Sequence, residues 1–135
     1  MGILIKNGTV ISASDEFVGD VLIEGEKIKE VGVRLPEAGH SVIDAKGKYV
    51  FPGGVDEHVH MGSFATTTFD TSHAAVAGGT TTIVDFPAQL EGKGIIESVE
   101  IQKKEHAEGK SSADYSFHGM VMDTSEALLD EIPKL

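Results

Sequence analysis

The chain has 135 residues, of which 40% are hydrophobic and 24% are charged, as in an ordinary water-soluble domain. Its 11 basic and 22 acidic residues give a net charge of −11, which argues against nucleic acid or an anionic membrane as a partner. Cysteine is absent, so disulfides and thiolate sites are excluded. The sequence has no apolar run long enough to span a membrane and no signal-peptide core. We therefore expect a cytoplasmic protein.

Residues 1–51 are predicted to form short strands separated by turns. Asn7-Gly8 lies between two β-prone runs, a pattern that is typical of a two-residue hairpin turn. Glu24-Gly25 separates a second pair of such runs, and Ala45-Lys46-Gly47 separates a third. Short strands with regular turn signals favour a small antiparallel sheet or a sandwich.

The pattern changes after Pro52-Gly53-Gly54, where strand and helix signals alternate. The first strand is followed by a helix that we expect to be capped by Asp70 or Thr71 and to stop at Gly78-Gly79. Further segments follow in the order strand, helix, strand and helix: 80–86, 94–109, 113–122, and a last helix capped by Thr124 or Ser125. Such alternation favours a parallel sheet.

This organisation divides the chain into residues 1–52, with short strands, and residues 53–135, with strand–helix units. About three such units are too few for a closed eight-unit barrel, which needs roughly 250 residues. We therefore expect the chain to be the N-terminal part of a longer protein.

His58 and His60 are the strongest candidates for chemistry. Residues i and i+2 of a strand point to the same face, so the two imidazoles are predicted to lie side by side. Neutral imidazole is a common metal ligand, and active sites lie at the carboxyl ends of parallel strands. The spacing alone leaves two interpretations, a metal-binding pair or exposed histidines on a solvent face. Asp56 could bind the metal, orient a histidine or cap a turn.

The other polar candidates have more ordinary interpretations. We expect His40, His73 and His106 to be exposed or solvated. His118 is predicted to lie inside the third strand of the second part, either as a hydrogen-bonded core histidine or as a member of the site. Asp85 ends the second strand, where it is predicted to cap the following turn or to face the same edge as the two histidines.

Three segments carry a family resemblance. YVFPGGVDEHVHM, AAVAGGTTTIVDF and ADYSFHGMV contain the motifs P-G-x-x-D-x-H-x-H and G-G-T-T-x-x-x-D-F, and together they resemble the cyclic amidohydrolases of the dihydropyrimidinase and hydantoinase branch. The resemblance implies an α/β fold: the start of a (β/α)8 metal-dependent hydrolase barrel, preceded by β-sandwich strands. It also implies two divalent metal ions, usually zinc, with His58 and His60 bound to the more buried ion.

The same resemblance implies the reaction and the remaining ligands. A metal-bound hydroxide would open a cyclic amide such as a dihydropyrimidine or a hydantoin. A carboxylated lysine, two more histidines and a catalytic aspartate would come from positions beyond Leu135, so no catalytic residue is predicted within this chain. We expect the chain alone to be inactive and to self-associate through its open sheet, whereas the complete protein is expected to be a homo-oligomer.

Two finer features bear on the branch: the first argues against the dihydroorotase type, and the second departs from the hydantoinase pattern and leaves the exact substrate open. Dihydroorotase-type relatives carry an arginine two residues after the second histidine, and Gly62 stands at that position here. The loop GSFATTTFD is shorter than in hydantoinases, and within it Phe64 is a candidate wall of the substrate pocket or a plain loop anchor. The alternatives are another amidohydrolase such as an allantoinase, or a non-catalytic dihydropyrimidinase-like scaffold protein.

Overall fold

The structure is a computed structural model that describes residues 1–62, 67–122 and 125–135. The chain divides into two compact units, Met1–Pro52 and Gly53–Leu135. Each unit contains its own sheet. No helix in the described part of the chain is both long and apolar enough to cross a membrane.

The first unit is a five-stranded mixed sheet with the strand order β3-β2-β1-β4, in which β5 also pairs with β1. The antiparallel prediction is right for β1, β2 and β3, but β4 and β5 both run parallel to β1 and follow each other along the same strand. The strands span Ile3–Ile11 (β1), Glu16–Glu24 (β2), Lys27–Gly32 (β3), Ser41–Asp44 (β4) and Tyr49–Val50 (β5).

The hairpin turn predicted at Asn7-Gly8 is wrong, because β1 continues through both residues as a β-bulge. Asn7 has a left-handed φ of 61°, and the pairing with β2 shifts between Ile5 and Gly8. The buried carboxylate of Asp20 accepts the Asn7 N–H at 2.9 Å, so the bulged backbone keeps a partner and the strand is not interrupted.

The second unit has a parallel sheet with the order β6-β7-β8, which confirms the predicted strand–helix alternation. Its strands are Gly54–Val59 (β6), Thr80–Asp85 (β7) and Asp114–Phe117 (β8). Its α-helices are His73–Ala77 (α1), Ile95–Gln102 (α2) and Glu126–Leu129 (α3). A 3-10 helix over Phe69–Ser72 leads into α1, a π-helical turn over Lys103–Ala107 continues α2, and a 3-10 helix over Ile132–Lys134 follows α3.

The first helical segment begins earlier than predicted. Its N-cap is Thr68, which has extended backbone angles, so Asp70 and Thr71 lie within the helical segment and do not cap it. The predicted stop at Gly78-Gly79 is confirmed, since α1 ends at Ala77 and Gly79 has a φ of 96°. For α3, the N-cap is Ser125, one of the two residues predicted; Thr124 lies outside the described residues.

The core of the second unit lies between the sheet and the helical segments. Phe69 and Ile83 are almost fully buried there, together with Ala107 and Ala113. Tyr115 and Phe117 of β8 pack their rings against Phe69. This packing fixes the three strands against the helices and sets their carboxyl ends beside one another.

Candidate metal centre

His58 and His60 lie side by side at the carboxyl end of β6. Their ring centres are 5.2 Å apart and the ring planes meet at 81°. Both side chains are exposed. The spacing of the two histidines was therefore sufficient to predict their shared direction.

The two imidazoles fit a shared cation. A tetrahedral zinc ion with Zn–N bonds of about 2 Å would hold the centres of two bound imidazole rings roughly 5 Å apart. The two rings supply half of the four donors that such an ion takes. Among the described residues, no group of three or more His, Cys, Asp or Glu side chains is arranged to hold a metal ion.

Asp56 acts on the local backbone. Its Oδ1 accepts the N–H of His58 at 3.2 Å, which is the turn-type hydrogen bond of an aspartate to the residue two positions later. The sequence left three roles open for Asp56: binding the metal, orienting a histidine or capping a turn. In the structure its carboxylate binds the backbone, as a turn cap does.

Asp85 joins the ends of two strands. Its side chain is 3% exposed, and its carboxylate accepts the N–H of Met61, directly after His60, at 2.8 Å. Burial raises the pKa of the Asp85 carboxyl, and this effect is opposed by the N–H groups of Met61 and Phe86 and by the charges of His60 and His106. The Asp85 carboxyl thus meets the N–H of the next residue, Phe86, as expected at a strand end, and it also binds Met61, just after β6, a contact that no local pattern signals.

Phe86 is a site residue that sequence reasoning missed. Its ring centre lies 4.2 Å from that of His58, 5.7 Å from that of His60 and 4.9 Å from that of His118. Its position directly after the β-prone run of β7, at the same edge as the histidines, is the one signal that could have indicated it.

His118 differs from its prediction. It follows β8, which ends at Phe117, and its side chain is exposed, so it is not a core histidine within a strand. Its backbone N–H donates to the carbonyl of Asp85 at 2.8 Å. The ladder of β7 and β8 thus continues by one residue and brings His118 to the site.

The remaining candidates lie elsewhere or are less exposed than expected. His73 is exposed as predicted, and its Nδ1 donates to the Asp70 carbonyl. His40 is half-buried and accepts the N–H of Gly2, and His106 is half-buried, so the prediction of exposure is wrong for both. Phe64, the candidate pocket residue, lies outside the described residues.

Known proteins match the chain along nearly its whole length. The D-hydantoinase of Geobacillus stearothermophilus is 41% identical over 138 residues, covering 98% of this chain and 29% of that protein. The dihydropyrimidinase of Dictyostelium discoideum is 41% identical over 137 residues, covering 96% of this chain and 27% of that protein. The crystal structure of dihydropyrimidinase from Brevibacillus agri matches with a TM-score of 0.90 at 40% identity, covering 98% of this chain and 30% of that chain. No protein-family model matches the chain.

All three of these relatives are named as hydantoinases or dihydropyrimidinases. The chain is similar to the N-terminal segment of these proteins in both sequence and fold. It spans between 27% and 30% of the length of the relatives described above.

Proposed function

We propose that this chain supplies the first two metal-binding histidines of an enzyme that opens cyclic amides of the hydantoin or dihydropyrimidine type. The observation that carries the proposal is the pair of adjacent imidazoles, His58 and His60, at the carboxyl end of a parallel strand in a chain similar to hydantoinases and dihydropyrimidinases. Parallel α/β sheets bind their substrates at that end of the strands.

The backbone after the histidines supports this branch of the family. Gly62 has a φ of 82°, in the left-handed region that favours glycine. A Cβ at Gly62 would meet the His106 ring at 3.4 Å. That distance is an ordinary van der Waals contact, but the left-handed backbone would strain an arginine at this position, which dihydroorotase-type relatives carry, so a carboxylate-bearing ring is disfavoured as the substrate.

Each group near the pair has a defined part in this proposal. A divalent ion, most simply zinc, would polarise an amide carbonyl and lower the pKa of a water molecule. His58 and His60 would hold that ion through neutral ring nitrogens. Asp85, through Met61, would fix the backbone that follows the pair, and the half-buried ring of Phe86 would exclude water from one side of it.

The wider assignment follows from the same proposal. We assign residues 1–52 to a β-sandwich and residues 53–135 to the first units of a (β/α)8 barrel. Further ligands would then come from later strands, and the chain by itself would not hydrolyse cyclic amides, because two imidazoles leave the coordination of the ion incomplete. A cytoplasmic homo-oligomer is the expected form of the complete enzyme.

A chimeric enzyme tests this function directly. The chain would replace the matching N-terminal segment of the Geobacillus stearothermophilus D-hydantoinase, and hydantoin opening would be followed with zinc present. We expect ring opening by the chimera and no ring opening by the 135-residue chain alone. His58→Ala and His60→Ala are each expected to lower kcat/KM by at least about a hundredfold, since each removes a ligand of the metal.

His73→Ala is the matched control, because His73 is an exposed histidine on α1. It should leave kcat/KM unchanged. A folded chimera that takes up zinc but opens no cyclic amide would contradict the proposed reaction. Full activity of both His58→Ala and His60→Ala would contradict the proposed ligands.

A further inference from the structure

Within the described part of the chain, β6 is hydrogen-bonded to another strand along one edge only. It pairs there with β7, and the register of this pairing shifts between Asp56 and Val59, beside both histidines. Every residue from Gly54 to His58 is exposed. The end of β7 lies beside both histidine rings, where Phe86 contacts each of them.

Phe86 is the side chain that makes these contacts. Its ring is 4.2 Å from that of His58 between centres, with 31° between the planes, which is a close, tilted ring contact. The same ring is 5.7 Å from that of His60. One aromatic side chain thus contacts both members of the pair and restricts the side-chain rotation of each.

Asp85 fixes the backbone next to the pair. Its buried carboxylate accepts the Met61 N–H at 2.8 Å, one residue after His60. Phe86 acts on the rings and Asp85 acts on the main chain. Because the two residues are adjacent, both contacts depend on one short segment at the end of β7.

The segment that contains Asp85 and Phe86 is also hydrogen-bonded to the chain after β8. The N–H of His118 donates to the Asp85 carbonyl at 2.8 Å, and the N–H of Met120 donates to the Pro87 carbonyl at 3.3 Å. Pro87 is among the fully buried side chains. The segment of residues 85–87, which contacts the histidines, is therefore hydrogen-bonded to the chain that follows β8.

We propose that Phe86 is a positioning residue of the metal centre: its ring holds His58 and His60 at the separation that one shared cation requires. Phe86 acts through the two imidazoles and contacts no reacting atom. The inference rests on the proposed function for the identity of the metal ligands. Support of a ligand by a neighbouring side chain typically changes metal affinity by about 10–100-fold.

The test is a titration of the protein, carrying isotope-labelled histidine, with zinc chloride while the imidazole resonances are followed by NMR. The variants are Phe86→Leu, which removes the ring, and Phe86→Tyr, which retains it. Phe117→Leu is the matched control, since Phe117 is also a half-buried aromatic residue at a strand end but packs on Phe69 and Tyr115.

Two results are expected. Without metal, the His58 ring protons of the wild type and of Phe86→Tyr should show the ring-current shift of a stacked aromatic neighbour, and Phe86→Leu should lose it. With zinc, Phe86→Leu should raise the Kd by about tenfold, whereas Phe86→Tyr and Phe117→Leu should stay within about twofold of the wild type.

Wild-type zinc affinity in Phe86→Leu, or an equal loss in Phe117→Leu, would overturn the proposal while the proposed ligands stand. If the titration leaves the His58 and His60 resonances of the wild type unchanged, the proposed ligands fail. The metal-free spectra then test separately whether Phe86 holds the histidine rings in place. If the His58 ring protons of the wild type show no ring-current shift, that role of Phe86 is overturned as well.

Discussion

Asn7 and Asp44 form a side-chain hydrogen bond between β1 and β4. The Asn7 amide donates to the Asp44 carboxylate at 2.9 Å, and the backbone N–H of Lys46 donates to the same oxygen at 3.1 Å. These two bonds lower the pKa of the exposed Asp44 carboxyl below its ordinary value of 3.8. A bulge residue and a strand end are thereby joined by a contact that depends on ionisation.

This pair predicts how stability depends on pH. Because the folded-state pKa of Asp44 is the lower one, the charged carboxylate stabilises the fold above pH 3.8, and that contribution disappears as the pH falls through the folded-state pKa. Asp44→Asn should therefore flatten the acid side of the stability curve, measured by urea unfolding between pH about 2 and about 5. Glu30→Gln, at an exposed position of β3, is the control. An unchanged acid slope in Asp44→Asn would contradict the prediction.

Single residues of the site were predictable to different degrees. The common direction of His58 and His60 follows from the two-residue period of a strand, so it could be inferred locally. The contacts of Asp85 and Phe86 could not be, because Met61 is 24 residues from Asp85 along the chain. Which side chains meet there depends on the parallel pairing of β6 and β7.

α2 depends on a residue from a distant segment. Helix α2 begins at Ile95 with no side-chain cap from Gly94, its own N-cap residue. The carboxylate of Glu131 accepts the Ile96 N–H at 3.1 Å. It thus satisfies one of the donors that a helix leaves open at its N-terminus, and its charge is favourable to the helix dipole.

Removal of that carboxylate should destabilise the second unit. Glu131→Ala is expected to lower the free energy of unfolding by about 0.5–2 kcal/mol, the usual effect of a lost N-terminal cap. Glu131→Gln retains an acceptor oxygen and loses the charge, so its effect should be smaller. The effects of Glu131→Ala and Glu131→Gln are measured by chemical denaturation together with amide hydrogen exchange at Ile96. Glu108→Ala, an exposed glutamate after the π-helical turn, is the control, and a loss in Glu108→Ala as large as that in Glu131→Ala would argue against capping.

Elements of secondary structure were predicted best where local signals agree with the packing. The stop of α1 at Gly78-Gly79 needs a left-handed residue, which Gly79 supplies. At Asn7-Gly8 the same kind of local signal was misleading. A left-handed asparagine suits a turn and a bulge equally, and the acceptor on Asp20 of β2 favours the bulge.

At the scale of the whole molecule, β6 is an edge strand of the second unit in the part that the structure describes. Val55 of β6 is 66% exposed. Open backbone donors and acceptors beside an exposed apolar side chain favour pairing with another chain.

We therefore expect the protein to self-associate with rising concentration in sedimentation velocity. Val55→Lys should shift the distribution toward monomer, because a charged side chain on an edge strand opposes pairing. Val76→Lys, the same change at an exposed position of α1, should have little effect. A wild-type protein that remains a single monomeric species at every concentration would refute this expectation.

The sequence itself determines the order of strands and helices from Gly54 onward and the shared direction of His58 and His60. Both follow from side-chain periodicity and from glycine positions, which act over a few residues. Only the tertiary structure decided that Asn7-Gly8 forms a bulge, that Asp85 binds Met61, and that Phe86 lies against three imidazoles. These contacts join segments that are far apart along the chain, so they form only when the strands pair in the folded sheets.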